Sequence, residues 1–184
     1  MADVVWTVSH PELSGAERCR LEPSATGWLL TGLVVAVFEQ APIDVRYEVA
    51  VGDDWVTRSV MVAADRLRQP RTLRLDRDLD GGWRVDGAAA PALDGCVDVD
   101  LGITPVTNTL PIRRLGLEVG AERAITVAWV KFPALTVARG RQTYTRIADD
   151  AWRYSSDSFA ADLTVDADGL VVRYGDDLWH RVGE

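Results

Sequence analysis

Strict alternation of apolar and polar residues is the feature that most limits what this chain can become. In DVRYEVAV, residues 44–51, Val45, Tyr47, Val49 and Val51 alternate with Asp44, Arg46 and Glu48. A period of two puts one set of side chains on each face of a strand. RTLRLDRD repeats the pattern, with Leu73 and Leu75 opposite Arg74 and Asp76, and ADLTVD and GLVVRYG repeat it late in the chain. WLLTGLVVAVF and AITVAWVKF are apolar on both faces, which predicts central, well-covered strands. Asp/Gly clusters in DRDLDGGW and DADGL predict hairpin turns, and VGDDW and ADDAW predict acidic turns leading into a tryptophan. HPELSGAERC leaves room for a short helical turn. No Pro/Gly-rich linker interrupts the pattern. The expectation is one domain over residues 1–184, mainly β and antiparallel, with about ten strands or more and little helix.

The plan recurs within the chain. Tyr47 precedes Trp55 with Asp53 and Asp54 between them, and Tyr144 precedes Trp152 with Asp149 and Asp150 between them. LRLDRDLDGGWRV follows the first pair and LTVDADGLVVRY the second. Two such halves suit a barrel or roll built by duplication. Hairpin chemistry common to any antiparallel meander gives the same pattern.

The chain has 184 residues, 47% of them hydrophobic, and can bury a core without disulfides or a metal. Its net charge of −8 argues against nucleic acid and anionic membrane surfaces as partners. Two cysteines, Cys19 and Cys96, do not make a disulfide framework. The start, MADVVWTVSHPEL, lacks the charged and apolar regions of a secretory signal. The longest apolar run, LVVAVF, falls far short of the ~20 residues of a membrane span. A soluble, cytoplasmic protein with no membrane insertion is expected.

One stretch departs from the alternation: GCVDVDLGITPVTNTLPIRRL, residues 95–115. In extended conformation Asp98 and Asp100 share a face, about 7 Å apart, opposite Val97, Val99 and Leu101. Such a pair can bind a cation, accept sugar hydroxyls, do acid–base work or pair with arginine. Pro105 and Pro111 exclude a regular ladder. Thr104, Thr107, Asn108 and Thr109 can bond to their own backbone or to a ligand. Arg113 and Arg114, if in a strand, point to opposite faces. An arginine entering an interior must be paired or wet, and Asp98 and Asp100 are the nearest partners. The segment is therefore either a polar anchor for a ligand or a self-satisfied network bracing one end of the sheet. Arg58, in WVTRSVMV, shares a face with Val56, Val60 and Val62; it points into an interior, or into solvent if the opposite face is covered. The candidate ligand-binding residues are Arg58, Asp98, Asp100, Thr107, Asn108, Arg113 and Arg114.

Enzyme signatures are scarce. There is no G-x-S-x-G, P-loop, G-x-G-x-x-G or H-E-x-x-H, and His10 and His180, the only histidines, lie near the termini. Cys96 precedes two aspartates, which raise a thiol pKa, and reads as a core residue. DRDLDG opens like a calcium loop but lacks the closing glutamate, so a hairpin turn is the better reading. The seven tryptophans read mostly as core. No catalytic residue, cofactor or metal site is assigned.

The segment at 95–115, with YEVAVGDDWVTRSV upstream and RQTYTRI and VDADGLVVRY downstream, resembles the family described as putative glycolipid-binding, formerly a domain of unknown function. TNTLPIRRL carries most of the likeness, and Asp98, Asp100, Asn108, Arg113 and Arg114 fall on the family motif. The resemblance implies a spiral β-roll, an incomplete antiparallel barrel, similar in shape to periplasmic carriers of lipoproteins. It implies a glycolipid or other amphiphile as partner, its apolar tail in a groove and its polar head near Asp98–Arg114. Two alternatives stand beside it: a hydrolase-like enzyme using Asp98 or Asp100 on an amphiphilic substrate, and a non-catalytic module pairing through a sheet edge or apolar face.

Overall fold

The computed structural model describes residues 1–157, 159–176 and 178–183. Among them, fifteen strands form one sheet that does not close into a barrel. From its middle, β1 (Ala2–His10), one arm runs outward through β2 (Leu13–Ser24), β3 (Gly27–Phe38), β4 (Ala41–Val51), β5 (Thr57–Arg66), β6 (Gln69–Arg77), β7 (Trp83–Val85) and β8 (Ala88–Ala89). The other arm begins with β15 (Trp179–Arg181), which pairs with β1. It continues through β14 (Val171–Tyr174), β13 (Ala160–Val165), β12 (Ala151–Ser156), β11 (Thr136–Arg146) and β10 (Glu122–Lys131) to β9 (Asp98–Leu101). Every pair is antiparallel except β9 with β10.

The sheet curls until its two ends meet through side chains. Val99 donates its backbone N–H to Thr57 Oγ1 at 3.1 Å, joining β9 to β5 without a ladder. The Trp83 indole and the Arg77 guanidinium both donate to the Cys96 carbonyl, at 3.0 and 3.2 Å. The edge strands β8 and β9 have two and four residues, short enough to offer little template for pairing with another chain.

Alternation places the core. Val45, Tyr47, Val49 and Val51 are buried and the residues between them are not, and the buried residues of both arms merge into one cluster. Of the two doubly apolar segments, β10 buries Val127 and Ala128 on opposite faces as expected, and β3 differs. β3 is paired on both sides, yet one face remains partly open, with Val35 57% and Val37 46% exposed. Strand neighbours cover the edges of a strand, not its faces, and this sheet has a second layer on one face only. HPELSGAERC holds no helical turn: β1 and β2 form a tight hairpin there. The recurring plan maps onto matching elements, β4–β7 and β11–β14, with Tyr47 and Tyr144 buried on the first strand of each set. The DADGL turn closes through Asp166 Oδ1, which accepts the N–H groups of Asp168 and Leu170, each at 2.9 Å. In DRDLDGGW, Asp78 Oδ1 accepts the Gly82 N–H at 2.7 Å, a hairpin turn as expected.

Inside the first arm, Tyr47 lies across Gly32 on the neighbouring strand and donates its hydroxyl to the buried Glu17 carboxylate. A Cβ at Gly32 would fall 2.2 Å from the Tyr47 ring, so only glycine leaves the ring its path. Gly32→Ala is expected to lower unfolding stability by about 1–3 kcal/mol, the usual cost of overpacking. Urea titration checks it, and Tyr47→Phe on the Gly32→Ala background should recover only part of the loss, because ring carbons as well as the hydroxyl lie in the path of the added Cβ.

Candidate functional site

The irregular segment after β9 is built as an α-helix entered through a single 3₁₀ turn. Val106–Asn108 make the 3₁₀ turn and Thr109–Leu115 form α1. Pro111 fits because it sits in the first turn, where backbone N–H groups have no intrahelical acceptor. Gly116 ends the helix in the left-handed region at φ 53°, and Arg113 and Arg114 occupy the last turn, where cations oppose the carbonyl end of the helix. The two arginines therefore leave a helix about 100° apart, not opposite faces of a strand. The pattern of proline near the start, two arginines near the end and glycine after them was the available signal for this helix.

Those directions separate the two side chains. Arg114 grips Asp98 with a two-pronged fork, at 3.0 and 2.6 Å. Asp98 is fully buried; burial raises its carboxyl, and the Arg114 fork offsets only part of that rise. Arg113 lies 4.7 Å over the Trp55 ring, which stacks on Trp28 at 5.6 Å, and it donates to the Ala167 carbonyl at 3.4 Å. Arg58 bonds both oxygens of Asp54, at 3.0 and 2.8 Å. A register shift between Ala50 and Val51 breaks the alternation expected for β5, so Thr57, Val60 and Val62 are buried while Arg58 stays half-buried at the turn.

Asp100, Thr107 and Asn108 form a second polar cluster. Asp100 accepts from Gln142 Nε2 at 2.6 Å and from Thr107 Oγ1 at 3.5 Å, and burial pushes its carboxyl up to about 6. Thr107 Oγ1 also accepts the Leu101 N–H at 3.3 Å. Asn108 accepts the Tyr144 hydroxyl at 2.8 Å and donates to the Pro105 carbonyl at 2.9 Å.

Two hollows border this segment. β12 pairs with β11 only from Gln142 onward, so the β10–β11 hairpin outruns its neighbour. Beside that overhang lies a hollow of about 550 Å³, within the usual range for a ligand pocket. Tyr154, Phe159, Tyr174, Trp129 and Trp179 contribute to its wall, and Asp100 and Asn108 reach it from the irregular segment. The rings of Phe159 and Tyr174 stack at 6.1 Å, and Tyr154 lies 6.3 Å from Tyr174. The second hollow, about 800 Å³, is the more cationic: Arg114, Arg123 and Arg141 line it with the hydroxyls of Thr126, Thr143 and Ser155, beside apolar Val97, Leu115, Leu117 and Ile125. Arg141, Gln142, Ser156 and Asp157 belong to both walls. Of the seven candidates, Asp100 and Asn108 line the aromatic hollow and Arg114 the cationic one. Asp98 stands behind Arg114, Thr107 behind Asp100, and Arg113 and Arg58 line neither. Among the described residues no cluster of His, Cys, Asp or Glu could hold a metal ion.

Several contributors were not singled out in the sequence. Tyr154 and Tyr174 follow strand alternation, which marks them as inward but not as bordering a void. Trp129 departs from the core expectation: it is 38% exposed, with the Lys131 ammonium 4.4 Å above its ring. Glu17 hides in SGAERC, a surface-like run, yet is 1% exposed. One of its oxygens accepts from Tyr47 and from Thr104 at 2.7 Å, and the other has no partner among the described residues. Burial pushes its carboxyl up to about 7. Cys19 and Cys96 are both buried and free, and burial raises both thiols.

Removing Arg114 as Arg114→Ala should cost about 3–5 kcal/mol by stranding the Asp98 charge, whereas the pair Asp98→Leu with Arg114→Met should cost far less; chemical denaturation of both decides it. Glu17 gives a pH signature. Its proton is held more tightly folded than unfolded, so its contribution falls as pH rises from the unfolded value of 4.5 to about 7 and is flat above. The ionised form costs on the order of 3 kcal/mol, so Glu17→Gln should become progressively more stable relative to wild type between pH 5 and 8. Denaturation midpoints of the two proteins across that range measure the difference.

Comparison with known proteins places this geometry. The chain is similar over 95% of its length to 95% of a crystal structure of a DUF1089 family protein from Pseudomonas aeruginosa, with 32% identity and a TM-score of 0.80. No curated protein matches it. The model of the family described as "Putative glycolipid-binding" matches residues 3–181. On that match, nearly the whole of its length, the chain belongs to the putative glycolipid-binding family.

Proposed function

We propose that the protein binds a single amphiphile, with its apolar tail in the aromatic hollow and its polar head in the arginine- and hydroxyl-lined one. The observation that carries this reading is the shared border: Arg141, Gln142, Ser156 and Asp157 line both hollows where the β11–β12 ladder ends, so a ligand that passes that end reaches the aromatic compartment on one face and the hydroxyl-lined one on the other. The family description points to the same class of ligand. Tail burial supplies affinity, at about 0.8 kcal/mol for each CH₂ before ordering costs. The head supplies selection, since each charge-assisted hydrogen bond is worth about 1.5–3 kcal/mol. Asp98 has both oxygens in the Arg114 fork, and its part is to hold Arg114 at the border of the cationic hollow. Thr107 holds Asp100 in the same way. Arg113 and Arg58 brace the end of the roll near Trp55, away from the ligand.

Asp100 favours a second reading. A carboxyl pushed up to about 6 beside a hollow is suited to general-base work on a bound amphiphile. Native mass spectrometry of delipidated protein, before and after adding back alkyl glycosides of graded chain length, tests the first reading. One ligand per chain is expected, with retention growing with chain length and lost in Tyr174→Asp. Trp129→Ala, at a half-exposed site, serves as a milder variant should Tyr174→Asp unfold. No retained amphiphile at any length contradicts the proposal. Asp100→Asn should keep binding; chemical change of the bound amphiphile by wild type but not by Asp100→Asn would establish the second reading.

A further inference from the structure

The charges around the two hollows run against those of the chain as a whole. The sequence has 28 acidic and 20 basic residues. Yet five basic side chains, Arg114, Arg123, Lys131, Arg139 and Arg141, line the hollows, against two acidic ones, Asp100 and Asp157, among the described residues. One of those two, Asp100, donates no full charge at mildly acidic pH because burial holds its carboxyl near 6. Arg114 is committed to Asp98 and Lys131 lies over Trp129. Arg139 donates one N–H to the Asp94 carbonyl, at 2.8 Å, and forms no ion pair among the described residues. Arg123 and Arg141 have no ion-pair partner among the described residues. Arg141 borders both hollows, at the place where a head would join its tail.

We infer that the head group this site takes is anionic, a phosphate or chemically similar oxyanion, held chiefly by Arg141, which shares a strand face with the Thr126, Thr143 and Ser155 hydroxyls, while Arg123 borders the same hollow from the opposite face of β10. The inference rests on the amphiphile-binding reading and narrows it. A neutral sugar head needs donors and acceptors in balance, whereas this wall has a surplus of fixed donors that only arginine provides. A planar guanidinium offers paired N–H groups that match two oxygens of a phosphate or carboxylate. The hydroxyls can donate to the remaining oxygens. In a protein of net charge −8, such a wall lowers the repulsion that an anion meets.

Isothermal titration with decyl phosphate, decyl maltoside and inorganic phosphate, each alkyl probe kept below its micelle concentration, tests this. Decyl phosphate is expected to bind at least tenfold more tightly than decyl maltoside, to weaken with added salt, and to lose about tenfold in Arg141→Gln and less in Arg123→Gln. Decyl maltoside should change little in either variant. Equal binding of the two alkyl probes, unaffected by the substitutions, overturns the anionic head and leaves amphiphile binding intact. Inorganic phosphate binding as tightly as decyl phosphate reveals a free-anion site and overturns the head-and-tail assignment. Failure of all three probes to bind overturns both readings. Both arginines are exposed, so their substitutions should leave the unfolding midpoint unchanged, and circular dichroism melts verify that.

Discussion

The two ends of the sheet meet without forming a ladder, and the remaining structure follows from that. A closed barrel would have continued β9 onto β5 by backbone pairing. Instead Thr57, Trp83 and Arg77 reach across with side chains to Val99 and Cys96. A side-chain seam tolerates irregular backbone, so the chain after β9 can leave the sheet and form a 3₁₀ turn and a short helix. That excursion places Asn108 and Arg114 at the borders of the two hollows, beside Asp100 on β9 itself. The Asp98–Arg114 fork then ties the helix to the strand it left. A buried pair of this kind contributes little net stability against an apolar alternative, but losing either partner is costly, so it fixes geometry more than it stabilises the fold.

The hollows arise from a mismatch in strand length. β10 and β11 pair over ten residues, while β12 pairs with only five residues of β11. The overhanging part has no neighbour on that side, and no helix covers it. Aromatic side chains from β12, β14 and β15 turn toward the gap but do not fill it. The cationic hollow lies against the same strands. One length difference therefore yields two compartments with a common wall.

The fold was largely legible because alternation is local: Val45 to Val51 declare their inner and outer faces without reference to the rest of the chain. Composition did not reveal that β3 would be flanked on both edges yet open on one face, because flanking and covering are separate facts. Arg58 was ambiguous for a similar reason. The register shift in the β4–β5 ladder falls on Arg58 itself, which the pairing skips, and so breaks the parity on which its orientation depended. The site was only half legible. TNTLPIRRL stood out as irregular, and its Asn108 and Arg114 do border the hollows, but treating Arg113 and Arg114 as strand residues obscured that the helix sends one to Asp98 and the other to Trp55. Arg123, Arg141, Tyr154 and Tyr174 sit on ordinary alternating strands, where nothing local distinguishes a residue facing a void from one facing a packed neighbour. Glu17 was hidden most completely, since only the distant Tyr47 and Thr104 account for a carboxyl at that depth.

The central claim is spatial: an alkyl chain lies among the rings beside the β10–β11 overhang. Intermolecular nuclear Overhauser effects between a protonated alkyl amphiphile and the otherwise deuterated protein, with aromatic and valine protons retained, locate the chain directly. Cross-peaks from its methylenes to the Tyr154, Phe159 and Tyr174 rings are predicted. Cross-peaks confined to the exposed Val35 and Val37 on the outer face of β3, with the aromatic rings silent, would contradict the account.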